Sequence, residues 1–220
     1  MDKEKLKAFV SWSGGKESAI SLYKAKNEGI NIHYLLNMTS ENEKYSRSHR
    51  LSCNILKIQA KNIGIPLIQC KSSWKEYEEN FKKAVFKLKR KGIEAGVFGD
   101  IDLQEHREWV ERICKDLRIK PALLLWKENK EKLLKDFIRL GFKAIVVTTR
   151  RDFLNQKWLG RQINERFIND LKALDNVDLC GEKGEYHTFV FDGPIFKKRV
   201  GFTLGKKTIK NNHCFLEIMG

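Results

Sequence analysis

No stretch of this chain approaches the ~20 consecutive apolar residues that a bilayer-crossing helix needs. Its start, Met1-Asp2-Lys3-Glu4-Lys5-Leu6-Lys7, is charged and lacks the apolar centre of a secretory signal. The five cysteines, Cys53, Cys70, Cys114, Cys180 and Cys214, are odd in number, widely spread and form no CxxC pair. That spacing argues against a disulfide framework and against a zinc site. Neither an internal repeat nor a low-complexity tract interrupts the 220 residues, enough for one large domain or two small ones. These absences leave a soluble, cytoplasmic protein with free thiols and no membrane partner as the expectation.

Acidic side chains are also in deficit, with 28 Asp and Glu against 43 Lys and Arg and a formal charge of +15. Such a charge could serve a nucleic-acid partner. The lysines, however, alternate with acids along helical stretches such as residues 82–91 and 127–135, the pattern of solvated faces. Nucleic acid is therefore not the expected partner. An anionic nucleotide, or an acidic protein, suits the same field.

What the chain does have is concentrated near its start. Ala8, Phe9 and Val10 form a short apolar run that breaks into Ser13-Gly14-Gly15-Lys16-Glu17-Ser18, after which residues 19–25 read as a helix. A strand, a glycine-rich turn and a helix make a phosphate cradle. The glycines let backbone N–H groups approach an anion, and the helix start adds unpaired donors and the positive end of its dipole. Lys16 contributes a mobile positive charge, and Ser13 and Ser18 contribute hydroxyl donors. The Walker form needs glycine, four residues, then Gly-Lys-Ser/Thr. Here the first position is Val10 and the last is Glu17, so this is not a Walker loop. The plainer alternative is a glycine turn that only starts a helix.

Further along, strand and helix patterns alternate. Strands are expected at residues 32–36, 67–70, 95–98 and 121–126, and helices at 51–63, 74–91 and 103–117. That rhythm predicts a parallel sheet with right-handed crossovers, a doubly wound nucleotide-binding domain. Ligand groups then gather beyond the strand ends: residues 13–18, the polar loop Asn37, Met38, Thr39 and Ser40, and the segment from Gly99 and Asp100 to Asp102. From residue 127 the rhythm changes to a helix at 131–140, a strand at 143–149, a helix at 164–174 and short antiparallel strands to the end. The domains are accordingly expected at 1–126 and 127–220, with the cleft at their junction.

A second constellation is Cys180-Gly181-Glu182-Lys183-Gly184-Glu185-Tyr186-His187-Thr188. Two carboxylates, an imidazole and a thiol lie between and beside two glycines, the density a catalytic loop requires. The alternative is a turn feeding a strand, with both glutamates in solvent. Cys180 is either a nucleophile or, more commonly for a lone cysteine, packing. His187 precedes the apolar Phe189-Val190 and is either functional or a satisfied structural histidine.

The order Ser-Gly-Gly-Lys-acid-Ser after a first strand resembles the PP-loop of N-type ATP pyrophosphatases, in which the usual acid is Asp where this chain has Glu17. With GVFGDIDLQEHREWVERIC (residues 96–114), LLLW (123–126), WLGR (158–161) and CGEKGEYHTFVFDGP (180–194), the chain resembles the diphthine–ammonia ligase family over residues 7 to 196. The segment from Asp100 to Arg107 stands where the ligase proper carries a Ser-Asp-Tyr-Gln-Arg-like stretch. Its Gly-Asp-Ile form is similar to a sister group in bacteria, for which cobalamin-related amide chemistry has been suggested.

The resemblance implies an α/β fold: a Rossmann-like, HUP-type doubly wound parallel sheet in front and a smaller C-terminal α+β domain behind. It implies ATP and ammonia acting on the carboxylate of diphthine, a modified histidine of elongation factor 2, to give diphthamide, AMP and pyrophosphate. Ser13, Gly14, Gly15, Lys16, Glu17 and Ser18 would bind the outer phosphates, with Asn37, Met38, Thr39, Ser40, Gly99 and Asp100 around the rest of the nucleotide. Glu17 and Asp100 would be the candidates for Mg²⁺. Lys16, Glu182, Glu185 and His187 would form the catalytic set. A homodimer is compatible with the sequence. Competing readings are a sister ligase for another carboxylate, a sulfur-transferring or tRNA-modifying PP-loop enzyme, and a non-catalytic adenosine-nucleotide sensor.

Overall fold

A computed structural model describes residues 6–47 and 49–220. The charged residues 1–5 and Ser48 lie outside the described residues. Strand β1 (Lys7–Ser11) buries Ala8, Phe9 and Val10 completely, as an uninterrupted apolar run does when both faces of a parallel sheet are covered. Around it lie β2 (Asn31–Thr39), β3 (Leu67–Lys71), β4 (Ala95–Val97) and β5 (Lys120–Ala122), in the spatial order β3-β2-β1-β4-β5. Every pairing in this sheet is parallel. The intervening helices are α1 (Lys16–Asn27), α2 (Cys53–Ile63), α3 (Tyr77–Lys89) and α4 (Gln104–Leu117). Strand order reverses between β1 and β4, so their carboxyl ends flank the crevice where doubly wound sheets bind ligands.

Two expectations need correction. Residues 37–39 are not a loop: they continue β2 and pair with β3, Asn37 opposite Gln69 and Thr39 opposite Lys71. A polar segment stays extended when the neighbouring strand satisfies its backbone groups. The fifth strand stops at Ala122, and residues 124–127 turn. There Leu125 is fully buried, and the Lys127 N–H is spent on the Ile101 carbonyl at 2.7 Å.

The second half contains α5 (Lys130–Arg139), β6 (Lys143–Arg150), a 3-10 turn at Gln156–Trp158, α6 (Glu165–Lys172) and the strands β7 (Tyr186–Asp192), β8 (Thr203–Lys210) and β9 (His213–Met219). The strands form an antiparallel sheet in the order β7-β6-β9-β8. Strand β7 begins at Tyr186, so Tyr186, His187 and Thr188 sit on a strand and not in the expected catalytic loop. One apolar core runs through both halves and joins Val10, Trp12 and Leu56 to Phe189, Val190 and Ile195. That shared core presses β7 against the turn after β1. Among the described residues no helix is long and apolar enough to cross a membrane.

Candidate active site

The turn after β1 needs its two glycines for different reasons. Gly14 has φ +82°, and a Cβ there would lie 2.5 Å from Leu56 Cδ2. Gly15 is extended, and a Cβ there would lie 2.2 Å from the His49 ring. The Gly15 N–H donates to Ser13 Oγ at 3.2 Å, and the Ser13 and Ser18 hydroxyls are 3.2 Å apart. The Ser18 hydroxyl donates to the Gly15 carbonyl at 3.0 Å. Gly15 itself offers the start of α1 no side-chain cap, which leaves the positive end of the helix dipole open to an anion. Gly99, from the end of β4, closes one wall: a Cβ on it would lie 3.0 Å from Glu17 Cβ and 3.2 Å from the Ser18 nitrogen.

The opposite wall belongs to the second half. The Val190 N–H donates to the Gly14 carbonyl at 3.0 Å, and the Lys16 N–H donates to Thr188 Oγ1 at 3.1 Å. Lys16 is not the mobile charge expected of it. Its ammonium is buried, donates to the Cys180 carbonyl at 2.6 Å, pairs with Glu17 at 2.5 Å and sits 4.4 Å from the Tyr186 ring centroid. Burial works against that charge, but Glu17 and the polar groups around it hold the ammonium well above the ordinary lysine range. Cys180 is buried with its thiol toward the Lys130 carbonyl at 3.7 Å, and burial pushes that thiol far up, outweighing the pull of Lys16, which fits packing better than nucleophilic attack.

The two glutamates of the second constellation separate. Glu185 is fully buried; its carboxylate accepts the Asp178 N–H at 3.2 Å and the Lys183 N–H at 3.0 Å. It shapes the loop. Glu182 faces the first half, where it accepts the Ile101 N–H at 3.2 Å. Burial, then the neighbouring Glu17 and Asp100, raise its carboxyl to about 7, against the opposing effects of the Ile101 N–H and Lys16. Asp178 accepts the Cys180 N–H at 2.8 Å and pairs with Lys130, which also holds Asp102 at 2.6 Å. That bridge ties the loop to the end of β4.

His187 stacks on His49 with ring centroids 4.6 Å apart. Burial first, then His49, Lys16 and His213, hold His187 well below the ordinary histidine range. His49 is lowered to about 4 by burial and by Lys16, although its Nδ1–H bond to the Thr188 carbonyl at 2.8 Å favours the charged form. Both rings are neutral near neutrality.

The structure therefore brings residues 13–18, Gly99, Asp100 and Glu182 together beyond the carboxyl ends of β1 and β4. Asn37 lies behind them, with its amide donating to the Trp12 carbonyl at 2.8 Å. Met38 and Thr39 are buried in β2, and the Ser40 hydroxyl turns to Asn42 at 2.7 Å. Sequence reasoning missed His49 and Gln59 and named Thr188 only as the end of the second constellation. His49 and Thr188 reach the turn only through tertiary contact. Gln59 alone left a signal, a polar residue in the buried stripe of α2 beside Ile55, Leu56 and Ile63.

The chain matches the family model described as the Diphthamide synthase N-terminal domain over residues 6–121, and the Diphthamide synthase C-terminal domain over residues 129–219. A diphthine--ammonia ligase from Rattus norvegicus is 25% identical over 230 aligned residues, spanning 94% of this chain and 86% of that protein. The diphthine--ammonia ligase of Schizosaccharomyces pombe is 29% identical over 94% of this chain, which spans 38% of that longer protein. A solved structure from Methanocaldococcus jannaschii, described as a predicted subunit of tRNA methyltransferase, shares 17% identity at a TM-score of 0.46, covering 89% of this chain and all of that one.

Proposed function

The chain belongs to the diphthamide synthase family, and from that premise we propose that it is an ATP-dependent ligase joining ammonia to a protein-borne carboxylate, that of diphthine on elongation factor 2. The observation that carries this reading is the meeting of two elements: a hydroxyl-lined glycine turn at a helix start and, beside it, Glu182, whose carboxyl is raised to about 7.

A carboxylate does not condense with ammonia at neutral pH, because its oxygen is a poor leaving group. In the proposed first step the acceptor oxygen bonds to the α-phosphorus of ATP, the bond to the bridging oxygen breaks, and pyrophosphate departs. The turn binds that pyrophosphate through its N–H groups, Ser13 and Ser18. Lys16 exchanges the Cys180 carbonyl for a phosphoryl oxygen. In the second step ammonia attacks the acyl-adenylate carbon and AMP leaves. Glu182 takes one proton from ammonium, a task its raised carboxyl suits near neutral pH, and water takes the second from the nitrogen as the C–N bond forms and AMP departs. Glu185 and His187 shape and line the acceptor side.

Mg²⁺ fits this site only as an ion carried by the phosphates. Among the described residues no three metal-ligating side chains converge, and Mg²⁺ commonly takes one or two carboxylates beside substrate phosphates. Glu17 and Asp100 would hold it, and it would neutralise charge on the pyrophosphate. The same reading assigns residues 1–126 to ATP and 127–220 to the acceptor. It expects a cytoplasmic protein without a nucleic-acid partner, and a homodimer is compatible with it.

The test is to incubate the protein with ATP and ammonium, with and without elongation factor 2 carrying diphthine, and to identify the nucleotide products. AMP and pyrophosphate that depend on both co-substrates are expected. Release of ADP, or ATP unchanged with all components present, would overturn the proposal.

A further inference from the structure

Gln59 lies in the middle of α2 and has no exposed surface. Every hydrogen-bonding group of its amide is engaged. Its Oε1 accepts the Trp12 indole N–H at 3.1 Å. Its Nε2 donates to the Gly14 carbonyl at 3.0 Å and to the Val190 carbonyl at 2.6 Å. The two ends of the amide face partners of opposite kind, so its orientation is determined. One side chain thus joins three elements: the residue after β1, the glycine turn, and β7 from the other half of the molecule.

The junction matters because of what lies on the far side of the Gly14–Gly15 peptide. None of the described peptide bonds is cis. In a planar trans peptide the carbonyl and the next N–H point in opposite directions. Fixing the Gly14 carbonyl between Gln59 and the Val190 N–H therefore aims the Gly15 N–H away from them, toward the side where it meets Ser13 Oγ. Gly14 is free to rotate, since its φ of +82° is a conformation open to glycine with little penalty. A flexible glycine peptide would point its donor at random. A buried amide that grips the carbonyl removes that freedom before any ligand arrives.

We propose that Gln59 is a positioning residue for nucleotide: it orients the Gly14–Gly15 peptide so that the Gly15 N–H faces the bound phosphate, and it couples that orientation to the seating of β7. The inference rests on reading residues 13–18 as the cradle for ATP phosphates. Gln59 does not touch the nucleotide. Its amide acts as a donor to two carbonyls, and that donor function is what the experiment must isolate.

Gln59→Glu keeps the size and the acceptor for Trp12. Buried and facing two carbonyls, its carboxyl stays protonated and keeps one donor. Gln59→Met keeps the bulk and has no donor. ATP affinity is measured by titration calorimetry, and the thermal midpoint by scanning calorimetry, for wild type and both variants near pH 7.5. Loss of both donors in Gln59→Met is expected to weaken ATP binding about tenfold, and the one donor left in Gln59→Glu to hold the deficit to about threefold. A merely structural role would make affinity follow the thermal midpoints and not the number of donors. Wild-type affinity in Gln59→Met, or a loss in Gln59→Glu as large as that in Gln59→Met, would overturn the proposal. Absence of ATP binding in wild type would instead sink the cradle reading itself.

Discussion

The ammonium of Lys16 lies 2.6 Å from the carbonyl of Cys180, so the lysine of the first half is held by the loop of the second. The same lysine pairs with Glu17 at 2.5 Å. The glycine turn is therefore not a free-standing phosphate loop. It is completed from above by β7 and the loop before it, through Thr188, Val190 and Cys180.

Lys16→Met keeps the aliphatic stem and removes the charge. It leaves Glu17 mostly buried beside an apolar chain, a change that costs on the order of 3 kcal/mol when a buried pair loses one partner. Two effects are expected together: a fall of several degrees in thermal midpoint, and loss of AMP release by about a hundredfold or more. Calorimetry and a nucleotide-product assay separate them. Wild-type turnover in folded Lys16→Met would remove the lysine from the mechanism.

Glu182 and Glu185 should fail differently. The Glu182 carboxyl is raised to about 7, so its base form is lost as pH falls through that value. The rate of amide formation should rise with pH through about 7 in wild type. Glu182→Gln should flatten that limb and slow the reaction about a hundredfold, with ATP affinity little changed. Glu185→Gln places an amide among two backbone N–H donors, where one of its groups has no acceptor. It should lower stability by about 1–3 kcal/mol and leave the shape of the pH profile as in wild type. An altered profile in Glu185→Gln, with an unaltered one in Glu182→Gln, would reverse the two assignments.

The stacked histidines predict acid sensitivity. His49 is lowered from 6.5 to about 4, so the folded protein binds fewer protons than the unfolded chain between those values. The stability this neutral ring contributes is present above 6.5 and is lost as pH falls toward about 4. At about 1.4 kcal/mol per pKa unit, His49 alone accounts for about 3 kcal/mol of that loss. His187 adds a loss of the same sign. His49→Phe keeps a ring against His187 and cannot titrate. Urea unfolding at several pH values from neutral to acid should show a shallower decline for the variant. Parallel declines would assign the acid sensitivity to other groups.

Much of the architecture was legible along the chain because it depends on local pattern. The buried run Ala8-Phe9-Val10, the glycines that follow, and the amphipathic faces of α2, α3 and α4 all declare themselves within a few residues. Errors fell where a distant neighbour decided the outcome. Asn37, Met38 and Thr39 look like a ligand loop by composition, yet β3 supplies their backbone partners and keeps them extended. Glu182 and Glu185 look alike three residues apart. What separates them is that one carboxylate folds back onto Asp178 and Lys183 while the other meets Ile101 from the first half.

By itself, the order of residues determined a glycine turn between a buried strand and a helix, a parallel sheet around it, and a glycine-flanked polar loop ahead of the final strands. Those features follow from backbone freedom at glycine and from the periods of helix and strand, which are short-range properties. Only the tertiary structure decided that Lys16 is anchored rather than mobile, that His49, Gln59 and Thr188 support the turn, and which glutamate has an elevated proton affinity. Those outcomes depend on burial and on charges brought close by folding, and neither is a property of neighbours in sequence.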